Sequence, residues 1–153
     1  MKSLDKSWFS LFIEYTLSLL MLVALVLTIS LPWSIPAVTL HNPGESDFWF
    51  EKYFVVLAIS GIIALLILWQ ARAILRIVNK GNPFVKEMVK RLRIIGIQSL
   101  VLAAFYFVSV FLVTKFFMIL VFVTFSIVGM VLFVFARIFE QAIAYKEEND
   151  MTI

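Results

Sequence analysis

The sequence predicts an all-α integral membrane protein. It reads as a four-helix bundle with both termini in the cytoplasm and a cytoplasmic helical hairpin between its second and third spans. Three observations carry that prediction. Of 153 residues, 63% are apolar, 16% aromatic and only 15% charged, where soluble domains hold about 25% charged residues. Four apolar stretches are long enough to cross roughly 30 Å of hydrocarbon, which takes about 20 residues of helix. Eleven of the 13 Lys and Arg fall on one side of the resulting topology. A mean hydropathy of +1.03 leaves too little polar surface to cover a water-soluble globule, which excludes soluble enzymes and disordered chains. The length fits one membrane domain, residues 1–153, without a separate extramembrane domain.

The first span covers about residues 9–31, bracketed by Trp8 and Trp33 at the two interfaces. Pro32 and Pro36 are expected to end it. A cleaved signal peptide is not expected, because this run exceeds a 7–15-residue h-region, Glu14 interrupts it and no A-x-A-like site follows. The second span covers about 53–71, preceded by the acidic Glu45, Asp47 and Glu51. The third covers about 94–113 and the fourth about 116–136, so Thr114-Lys115 must be a tight reversal between antiparallel neighbours.

Basic residues near span ends resist translocation. Lys2, Lys6, Arg72, Arg76, Lys80, Lys86, Lys90, Arg91, Arg93, Arg137 and Lys146 lie on one side, Lys52 and Lys115 on the other. The rule therefore places both termini and the central connection in the cytoplasm and the His41 loop outside. The net charge of +3 is then a topology signal, with no implication of direct nucleic-acid binding.

The connection at about 72–93 reads as helix. Arg72, Arg76 and Lys80 are spaced by four, and Gly81 supplies the left-handed conformation that closes a helix. Asn82 and Pro83 suit the N-cap and first position of a second arm. There Phe84, Met88 and Leu92 form an apolar stripe, Lys86, Lys90 and Arg93 a basic one, and Glu87 stands four before Arg91. Past the fourth span, a tail at about 137–153 continues as helix to about Glu148, with Phe139, Ala142 and Ile143 apolar, before a fraying end. No internal repeat or pair of matching halves is present.

Glu14 is the sharpest single residue, because a carboxylate inside a span costs about 2.5–3.5 kcal/mol on insertion scales at the centre and therefore faces protein or water. It suggests either a proton- or cation-coupled binding group or, more plainly, a structural pair with Arg72, Gln98 or Arg137 at the cytoplasmic end. Small multidrug-resistance transporters share four spans and a first-span carboxylate. This chain departs from them, with five Gly in total and spans filled by Phe, Leu, Ile and Val. The basic hairpin suits anionic lipid headgroups, at roughly 1 kcal/mol per basic residue, the acidic tail or another protein. No cysteine is present and His41 is the single histidine, so neither thiol chemistry nor a transition-metal site is expected. Nucleophilic triads, phosphate-cradling glycine loops and paired catalytic carboxylates are also absent, and no enzymatic activity or cofactor is expected. Ser18, Thr28, Ser99 and Thr124 are expected to bond to backbone or neighbouring helices.

Two stretches carry a resemblance: Gly81-Asn82-Pro83-Phe84-Val85-Lys86-Glu87 followed by Arg91-Leu92-Arg93, and Phe139 with Ala142 followed by Glu147-Glu148-Asn149-Asp150-Met151-Thr152-Ile153. In this order around four spans they resemble a family of small four-span bacterial membrane proteins known only as a domain of unknown function. The family's tail more often has Leu where Met151 stands. The resemblance implies no catalytic residues. It implies a genomic setting beside a short Cro/CI-like helix-turn-helix regulator, widespread in Gram-positive bacteria. The expectation that follows is a regulatory membrane partner that binds such a regulator through Gly81, Asn82, Pro83, Phe84, Lys86, Lys90, Arg91 and Arg93 of the hairpin and Glu147, Glu148, Asn149 and Asp150 of the tail. The competing expectation is a small transporter or peptide-toxin immunity protein that depends on Glu14. Oligomeric state is left open.

Overall fold

The computed structural model describes residues 8–39, 47–113 and 116–151. They form four helices, α1 (Trp8–Thr39), α2 (Asp47–Asn79), α3 (Lys86–Val113) and α4 (Phe116–Met151), with no strand among the described residues. Each contains a segment long and apolar enough to cross a membrane. The expected reversal at Thr114-Lys115, the His41 loop and the extreme termini lie outside the described residues.

Three boundaries differ from the sequence expectation. Pro32 does not end α1, which continues through Pro36 to Thr39. A proline ring holds helical φ, so each removes a hydrogen bond without having to end the helix, and spanning helices tolerate the loss. The connection at about 72–93 is helical on both arms as expected, and the arms are continuous with the spans: α2 runs unbroken from Asp47 to Asn79, and α3 passes directly from its basic start into the apolar span. Gly81 closes α2 as expected, with φ 82° and its N–H donated to Val78 O at 3.0 Å. The second arm begins at Lys86 instead of Pro83. The Val85 N–H that an Asn82 cap would engage is donated to Pro83 O in a tight turn at 3.0 Å, and Met88 N–H returns to Val85 O at 2.9 Å. Phe84 therefore precedes the helix, off the stripe of Met88 and Leu92. Finally, α4 carries its helix through Asn149 and Asp150 to Met151, where a frayed end was expected.

The helices pack in chain order. The α3·α4 contact is the most extensive, α1·α2 follows and α2·α3 is the smallest; among the described residues α1 touches neither α3 nor α4. The central element is α3, with 39% of its apolar span buried against 0% for α1. Its two faces join α2 and α4 in two clusters. Val56, Leu102, Tyr106 and Met118 form one. Ile77, Met88, Val89, Leu92, Ala136 and Ile143 form the other at the basic end. Small residues set the closest approaches, because apolar lipid tails provide no hydrophobic force between helices and backbone proximity decides association. Gly129 of α4 faces Gly96 and Leu100 of α3, and Gly61 of α2 faces Thr28 of α1.

Hydroxyls inside the spans mostly satisfy themselves locally. Ser18, Thr28 and Thr124 donate to carbonyls four residues earlier at 2.7–2.8 Å, as expected. Ser99 differs: it is buried and its Oγ has no hydrogen-bond partner among the described residues.

Candidate functional site

The charged residues of 80–93 and 137–150 gather at one end of the molecule because the start of α3 and the end of α4 pack together there. Lys86 and Arg93 stand seven residues apart on α3, and Glu140 and Glu147 seven apart on α4. On antiparallel helices that equal spacing matches the pairs. Lys86 Nζ lies 3.1 Å from Glu147 Oε1, and Arg93 Nη2 donates to Glu140 Oε2 at 2.7 Å. Both pairs are half-exposed or more, so each contributes only about 0.2–1 kcal/mol. What holds α4 here is mainly the apolar cluster beneath, including Ala136 and Ile143 against Met88, Val89 and Leu92. Phe84 caps the junction, its ring 5.7 Å from that of Phe139.

Arg91 points the other way. Its Nη1 donates to Gln70 Oε1 of α2 at 2.7 Å, and its Nη2 meets Glu87 at 3.1 Å, the expected i,i+4 pair. Thus the hairpin residues expected to bind a partner divide between two helix seams. Gly81, Asn82 and Lys80 remain exposed at the tip, as do Glu148, Asn149 and Asp150 on the last turn of α4.

Of the three alternative partners for Glu14, the structure puts one on a neighbouring helix. Glu14 is half-buried on α1, which among the described residues packs on α2 and not on α3 or α4, whereas Gln98 belongs to α3 and Arg137 to α4. Arg72 lies on the helix that faces it, three residues off its level. Ser10 Oγ donates to Asn79 Oδ1, and Thr28 meets Gly61; these contacts lie eighteen residues apart on both helices, five full turns. Glu14 and Arg72 fall between them on the facing stripes. Arg72 Nε is buried with no hydrogen-bond partner among the described residues, as is Gln98 Oε1. Gln98 lies about 10 Å along the α3 axis from Arg91, at 1.5 Å per residue. Arg137 is exposed and shares a recess with Arg93, Phe133 and Glu140.

Lys86–Glu147 is one contact of the kind expected between the basic hairpin and the acidic tail, whereas the expectations from sequence include neither the Gln70–Arg91 bond nor the Arg93–Glu140 pair. The matched seven-residue spacing was the one available signal for the ion pairs. Nothing local marks Gln70, whose partner depends on the α2·α3 register. Among the described residues no group of three or more His, Asp or Glu is placed to hold a metal ion.

Four apolar helices of spanning length, joined through charged ends, are the make-up of a multi-pass α-helical membrane protein. Residues 5–153 match the family described as "Protein of unknown function (DUF2975)", and the chain belongs to that family. No curated protein and no solved structure matches it.

Proposed function

We propose that this chain is a non-enzymatic, multi-pass protein of the bacterial cytoplasmic membrane that serves as a regulatory docking partner. Its basic end faces the cytoplasm, by the positive-inside rule, and binds a small helix-turn-helix regulator. The observation that carries this reading is the extension of α4 as helix from Arg137 to Met151, past its apolar span and braced on the start of α3. On that projecting segment Tyr145 is 68% and Met151 81% exposed. Exposed aromatic and Met side chains on a water-facing, otherwise charged helix are characteristic of protein interfaces. Glu147, Glu148 and Asp150 around them present acidic charge that a basic nucleic-acid-binding partner complements.

The test is affinity capture from gently solubilised native membranes, comparing the intact chain with one that ends at Lys146 and identifying co-purifying proteins by mass spectrometry. The intact chain is expected to retain a helix-turn-helix protein and the shortened chain to lose it. Recovery of only lipid and further copies of the chain with both forms would overturn the reading.

A transport or toxin-immunity role would instead depend on Glu14, in the α1·α2 seam with Arg72. Under the docking reading, Glu14→Gln leaves regulator capture unchanged and alters stability alone. Abolished flux or toxin resistance in that variant, with the protein still folded, would transfer the assignment to the membrane-embedded seam.

A further inference from the structure

Between the first turns of α3 and the last turns of α4 lies a groove of about 500 Å³, lined in part by Val89, Lys90, Arg93, Ile143 and Ala144. Its floor is apolar and its rim charged, and it sits just beyond the apolar spans. The charges are unevenly satisfied. Lys86 and Arg93 are taken by Glu147 and Glu140. Lys90, between them on the same face, has no carboxylate partner among the described residues, and neither has Arg137 in the adjoining recess. Groove and recess together hold four cations, Lys86, Lys90, Arg93 and Arg137, against two carboxylates, Glu140 and Glu147. Toward the membrane the same side continues into Phe133, which lines the recess, and Ile97, four residues after Arg93; both are exposed.

We infer that this groove is a binding site for one anionic phospholipid of the surrounding bilayer. Its phosphate lies between Lys90 and Arg137, and an acyl chain follows the α3–α4 surface past Ile97 and Phe133. Charge complementarity selects the headgroup, since the unpaired cations require an anion. Continuity with the lipid-facing surface selects a membrane lipid over a soluble phosphate, because an acyl chain can follow the apolar side chains without leaving hydrocarbon. Glu147 acts as an internal competitor: while it holds Lys86, that ammonium is withheld from the lipid.

The full chain, delipidated in mild non-ionic detergent, is titrated with phosphatidylglycerol, phosphatidylcholine and free glycerol phosphate, and bound copies are counted by native mass spectrometry. Phosphatidylglycerol is expected to bind more tightly than phosphatidylcholine, and Lys90→Gln or Arg137→Gln each to weaken it about fivefold, the effect of one basic residue at an anionic surface. Glu147→Gln is expected to strengthen it by releasing Lys86, a gain that a misfolded variant does not produce. Equal binding of the two lipids, or unchanged binding in Lys90→Gln and Arg137→Gln, would overturn the inference. So would weaker binding in Glu147→Gln, or free glycerol phosphate binding as tightly as the lipid.

Discussion

Gly129→Leu is expected to destabilise the protein by about 1–3 kcal/mol, the usual cost of overpacking, read as a lowered melting temperature by circular dichroism in mild detergent. A Cβ at position 129 would stand 2.7 Å from Leu100 Cγ and 3.1 Å from the backbone oxygen of Gly96. The Leu100 side chain can rotate away, whereas a backbone oxygen moves only if the two helices separate. Gly129→Ala should therefore fall between wild type and Gly129→Leu. Because α3·α4 is the most extensive contact in the molecule, parting it also disturbs the braced extension of α4. Melting of Gly129→Leu at the wild-type temperature would show that the crossing is looser than the structure has it.

Leu102→Ala is the second large effect. In a soluble core such a truncation costs about 2–5 kcal/mol, combining lost transfer energy with the cavity left behind. Within a bilayer the transfer part largely vanishes, since lipid tails are as apolar as the protein interior. The cavity remains, because Leu102 is 2% exposed between α2 and α4 with Val56, Tyr106 and Met118 around it. A loss of about 1–2 kcal/mol is expected from that cavity alone. The adjacent Val101 supplies the control. It is 54% exposed and faces out of the helix assembly, so Val101→Ala should stay within about 0.5 kcal/mol of wild type. Unfolding both variants by SDS titration in mixed micelles compares them directly. Equal losses at the two positions would mean that apolar transfer, and not packing, sets stability here.

The turn at 80–85 shows how far a local pattern reaches. Gly81 was legible because a left-handed closure depends on one residue's backbone freedom, and the structure has φ 82° there. The helix restart was misplaced by three residues because Asn82 and Pro83 are equally good turn residues, and the Val85 amide found Pro83 O first. Intrinsic cost alone makes Pro32 a stop, yet α1 runs on to Thr39. The candidate sites follow the same division. The Glu87–Arg91 pair lies within one helix and was visible from spacing, whereas Gln70–Arg91 and the grouping of Glu14 with Arg72 but not Gln98 or Arg137 depend on which helices touch.

By itself the sequence determined four apolar helices, their approximate spans and the concentration of basic charge at one end. Those properties follow from the length of hydrocarbon to be crossed and the cost of placing charge within it, which each segment meets alone. Only the tertiary structure decided that the helices pack in chain order around α3, that Glu140 and Glu147 of α4 close onto Arg93 and Lys86, and that Lys90 is left over a groove with no carboxylate partner among the described residues. With no hydrophobic force to select partners between helices in lipid, that arrangement comes from close approach at small residues such as Gly96 and Gly129 and from side-chain register. Both are properties of pairs of helices, absent from any single segment of the chain.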